Sequence, residues 1–182
     1  MGSLLLGLAL WAGAHWLKRL APGVRASLGD MPGKLLVALV LIGALYLMDR
    51  GLRTAEVVTI WSPPAFLTHL NNLLMLIAVF LLGLGYSRGM LRPKIRHPML
   101  TAVKTWAFAH LLVNGDRAEM VLFAGMMAWA VISVILINRQ EPAWVRPAAG
   151  PLRNDLIYGV ISLAVFGIIA SLHARFGLWP FG

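Results

Sequence analysis

Met99-Leu100-Thr101-Ala102-Val103-Lys104-Thr105-Trp106-Ala107-Phe108-Ala109-His110-Leu111-Leu112-Val113 is an apolar run that carries an ammonium group and an imidazole. Arg96-His97-Pro98 precedes it and Asn114-Gly115-Asp116 follows. An ionisable side chain inside a membrane-spanning helix costs roughly 2.5–3.5 kcal/mol on insertion scales, so Lys104 and His110 need partners that offset the cost. Function is therefore sought around this run.

Working outward, the 182 residues are 59% hydrophobic and only 13% charged, well above the roughly 45–50% apolar content of soluble domains. This composition predicts an all-α, polytopic transmembrane bundle. A span needs about 20 apolar residues, so the length allows one domain of about six helices over residues 1–182. The expected apolar segments are 3–20, 34–48, 65–86, 99–113, 120–137 and 156–172, with a loop over 25–32.

The net charge of +9 does not indicate nucleic acid, because the Lys and Arg residues lie mostly in short connectors. One side collects Lys18, Arg19, Arg25, Lys34, Arg88, Arg92, Lys94, Arg96, Arg139, Arg146 and Arg153; the other has Arg50, Arg53, Arg117 and Arg175. The positive-inside rule then places both termini outside the cytoplasm, in the periplasm if the membrane is a bacterial inner membrane. The absence of cysteine excludes disulfides, thiolate ligands and cysteine nucleophiles, which leaves histidine as the soft metal ligand.

There are five histidines. His173 sits in a terminal turn beside Arg175, where interfacial solvation accounts for it. His69, near Asn71 and Asn72, suits hydrogen bonding between helices, and His97 suits a polar helix entry before Pro98. His15 and His110 lie well inside apolar runs. Trp11 falls one turn before His15, with Lys18 and Arg19 one turn after; Trp106 and Asn114 flank His110 in the same way. Two histidines from different helices, aromatic flanks and nearby cations are the parts of a haem site, with Lys18, Arg19, Arg96 or Lys104 facing propionates. Depth complicates the pairing. His15 and His110 differ in level by roughly 10 Å in a ~30 Å core, and depth alone would pair His15 with His97 and His69 with His110.

The residues Arg96-His97-Pro98, Trp106 through Asp116, His69-Leu70-Asn71-Asn72-Leu73-Leu74-Met75 and His15 together resemble the NnrU family of bacterial membrane proteins. That family is named for a link to nitrite and nitric oxide reduction in denitrifying bacteria, and it is similar to the 15-cis-zeta-carotene isomerase of plants and cyanobacteria. The resemblance implies a b-type haem with His15 and His110 as axial ligands, Asn114 orienting His110, and nitric oxide as a possible ligand. It also raises a second expectation, a haem-dependent cis-trans isomerase acting on a polyene. The isomerase has a cysteine three residues before its second ligand; Ala107 stands there in this chain, so no thiolate can exchange onto the iron. A third expectation is a cofactor-free accessory bundle that supports a membrane protein partner.

Overall fold

The computed structural model describes residues 1–181, which form seven α-helices and no extended strand. They are α1 (Gly2–Leu20), α2 (Pro22–Ser27), α3 (Asp30–Arg53), α4 (Leu67–Leu84), α5 (Pro98–Leu111), α6 (Arg117–Gln140) and α7 (Leu152–Arg175). Four of them, α3, α4, α6 and α7, are long and apolar enough to cross a bilayer. The protein is an integral membrane protein. Many large apolar side chains point outward, among them Leu39, Ile42, Val160 and Ile168, where they meet lipid.

Two expectations about the first connector are corrected. Residues 25–32 are not simply a loop, because Pro22 starts α2 at a position where its missing N–H costs nothing. Gly29, at φ 73°, then turns the chain into α3. The second span is also not short. Ion pairs one turn apart, Lys34 to Asp30 and Arg53 to Asp49, both at 2.9 Å, keep the polar ends helical, and α3 reaches 24 residues.

In packing order the long helices run α3, α1, α6, α5, α4, α7, each against the next. Close approach of α1 and α3 requires glycine: a Cβ on Gly51 would lie 2.5 Å from the Leu4 nitrogen, and one on Gly7 would lie 2.8 Å from the Ala44 carbonyl. The short α5 has 14 residues, about 21 Å of helix. That is less than the ~30 Å hydrocarbon thickness. Packing between α4 and α6 shields its polar residues, and Ala102, Ala107 and Ala109 are buried along it.

Two aspartates fasten the connectors. Asp116 caps α6 by accepting from Ala118 N at 2.8 Å, and it also accepts from Val58 N at 2.7 Å, which binds the 54–66 connector to the end of α5. Asp155, 4% exposed in the first turn of α7, accepts from Met90 N at 2.7 Å and Leu91 N at 3.1 Å, with Ser87 Oγ at 3.4 Å. Through it α7 is tied to the segment leading into α5.

Candidate functional site

The histidines occupy distinct settings. His15 lies one turn after Trp11, and its Nδ1 is 2.8 Å from the Trp11 carbonyl. A carbonyl only accepts, so Nδ1 carries the proton and Nε2 keeps its lone pair. A bond of this kind fixes the ring and leaves the other nitrogen open to a metal. The ring is exposed at the bundle surface, 4.5 Å from the Trp11 ring and 4.8 Å from that of Trp129 on α6. The indole N–H groups of both tryptophans are buried and have no partner among the described residues. Below them, Trp16 Nε1 donates to Ser133 Oγ at 2.9 Å and ties α1 to α6.

His110, in the last turn of α5, stacks on Phe123 of α6 at 4.5 Å and 9°, with Trp106 edge-on at 5.5 Å. The Asn114 amide donates to the His110 carbonyl at 2.8 Å and to its Nδ1 at 3.3 Å. Here Nδ1 accepts, so the proton sits on Nε2, the reverse of His15.

His15 and His110 meet different residues of α6. Trp129 contacts the first and Phe123 the second; six residues of α6 separate them, about 9 Å along the axis. Among the described residues no aromatic contact joins the two groups.

The remaining candidates are distributed as follows. Lys18, three residues after His15, lies on the same face of α1 and is exposed, and it forms no ion pair among the described residues. Arg19 is committed to Glu141 and Gln140, each at 3.1 Å. Arg96 donates to the carbonyls of Glu141 and Pro142. His97 Nε2 donates to Asn138 Oδ1 at 2.8 Å and clasps α5 to α6. His69 is exposed. Lys104, half-buried, is six residues from His110 on α5, 240° around the helix and so on a different face.

His173 is the residue that the sequence reading set aside and the structure brings in. It lines a recess shared with His110, Asn71 and Asn72, and its Nδ1 donates to the Ile169 carbonyl at 2.8 Å. The signal was present in the alternation of segments, which sets the start of α4 and the ends of α5 and α7 at one end of the bundle.

A helical membrane bundle with intramembrane histidines is the class that these observations define. Residues 3–180 match the model of a family described as NnrU protein, and the chain belongs to the NnrU family. No curated protein and no solved structure matches it.

Proposed function

We propose that the protein binds haem b in the membrane and serves nitrite or nitric oxide metabolism, as the family's association implies, with both termini on the periplasmic side of a bacterial inner membrane. The observation that carries the proposal is the setting of His15: an exposed imidazole whose Nδ1 donates to the Trp11 carbonyl and whose Nε2 keeps its lone pair, beside two tryptophan rings whose buried N–H groups have no partner among the described residues.

The residues around His15 fit the group. His15 would ligate iron through Nε2, and Lys18 on the same face would pair with a propionate. Arg19 and Arg96 would brace the loop after α6 and stay clear of the ligand, and Lys104 lies on another face. His110 is the second ligand that the resemblance implies. For ligation its Nε2 must lose the proton that Asn114 now fixes there, which needs the Asn114 amide to present its oxygen to Nδ1. His15 needs no such change of tautomer. When bound, haem would supply reversible one-electron chemistry and a site for a diatomic gas.

The test is a pyridine haemochrome assay on protein purified in mild detergent, followed by addition of nitric oxide to the reduced form. The proposal expects haem b near one per chain and a spectral change with nitric oxide. Protein that is colourless and takes up no added haemin overturns it.

A further inference from the structure

A groove between α4, α5 and α7 has polar groups that the haem proposal leaves unused. Its apolar part, a cavity of about 190 Å³, is lined by Met75, Val79, Leu82, Val103 and Trp106 among others. Met75, Ile169 and His173 also line an adjoining recess of about 40 Å³, which holds Asn71, Asn72 and Phe166 and shares His110 with the haem proposal. Asn71 is only 7% exposed. Its amide nitrogen donates to Asn72 Oδ1 at 3.2 Å, yet its own Oδ1 has no partner among the described residues. Leaving a buried acceptor unpaired costs about 1–3 kcal/mol, a cost that a donor in the recess would remove. A second acceptor faces the same space. Because His173 Nδ1 donates to the Ile169 carbonyl, Nε2 keeps its lone pair.

The recess therefore presents acceptors from two helices, α4 and α7, and suits a head group that carries O–H donors. Position defines the rest of the ligand. Asn71 is four residues into α4 and His173 two residues from the end of α7, so the recess lies within about 6 Å of one end of the bundle. From Asn71 the stripe Met75, Val79, Leu82 runs about 16 Å toward the membrane centre at 1.5 Å per residue. Leu82 is 48% exposed, so the groove opens sideways to lipid. Trp106 lines the groove and Phe166 the recess, both aromatic neighbours for a ring held there. We propose that the groove binds a lipid-soluble quinol, its hydroxyls donating to Asn71 Oδ1 and His173 Nε2 and its tail lying along Met75, Val79 and Leu82.

The experiment is a calorimetric titration of the full chain in nanodiscs with decylubiquinol under anaerobic conditions, beside decylubiquinone and decanol. Saturable binding of the quinol is expected, at least tenfold tighter than the quinone, which has no O–H to donate, and than the aliphatic alcohol. Asn71→Leu and His173→Phe each weaken it at least tenfold, whereas Asn71→Asp, which keeps an acceptor, retains it; a thermal melt of each variant separates lost binding from lost fold. Absence of saturable heat, equal binding of the three probes, or unchanged affinity in both Asn71→Leu and His173→Phe overturns the proposal. The visible spectrum of the same samples reports haem separately, so failure of either binding event is read apart from the other.

Discussion

His15 and His110 are both imidazoles in apolar helices packed on α6, yet α6 treats them differently. His15 is exposed, with Nε2 left a lone pair, and it lies beside two tryptophan rings whose buried N–H groups have no partner among the described residues. His110 is stacked flat on Phe123, fixed by Asn114, and turned toward a groove it shares with His173. The contrast teaches that depth in a helix does not by itself make a histidine a ligand. What matters is which ring nitrogen its neighbours leave with a lone pair, and toward what space that nitrogen points.

The largest effect is expected from breaking the two settings one at a time. His15→Ala lowers affinity for haemin at least tenfold in a titration followed by visible absorbance. His110→Ala keeps haemin bound but changes the coordination seen by resonance Raman spectroscopy. Equal losses from the two would show that the settings act as one site from the outset.

Next in size is the latch on the groove side. Asp155→Ala leaves Met90 N and Leu91 N without their acceptor and is expected to cost about 2–4 kcal/mol, measured by unfolding in mixed micelles. On the other side, Trp16→Phe removes the bond to Ser133 and part of the packing of a half-buried indole. A loss of about 1–2 kcal/mol is expected there. A reversed order would mean that the α1–α6 contact, rather than the α7 anchor, is the tighter part of the bundle.

The smallest effect is a pH dependence confined to the His110 end. The backbone N–H groups of Ala118 and then Val58 hold the Asp116 carboxyl below its ordinary value of 3.8. The folded state thus binds the proton less readily than the unfolded one. Its contribution is complete above about pH 3.8 and is lost as pH falls through the lower folded value. Protection of the Val58 and Ala118 amides, exchange corrected for its intrinsic pH dependence, is expected to fall in that acid window and in Asp116→Asn to show no such fall; protection around Trp11 and Trp16 stays unchanged in both.

Much of this was legible in the sequence. Composition and the spacing of apolar runs suffice for an all-helical membrane bundle, since each helix satisfies its own backbone. Contacts one turn apart were legible too: Trp11 with His15, Trp106 with His110, and Asn114 with His110 follow from helical periodicity. The extension of α3 was not, because the Asp30–Lys34 and Asp49–Arg53 pairs make polar ends helical where a hydropathy reading stops. Nor were Asp155 and His173. Asp155 meets partners more than sixty residues earlier in the chain, and His173 enters the site only because α7 packs on α4.

The most direct measurement is the visible spectrum of the purified protein, oxidised and reduced, after expression with added haem precursor. The account predicts a b-type spectrum in the wild type that His15→Ala loses. A wild-type protein with no absorption beyond its aromatic bands, or a haem spectrum that His15→Ala leaves unchanged, would contradict it.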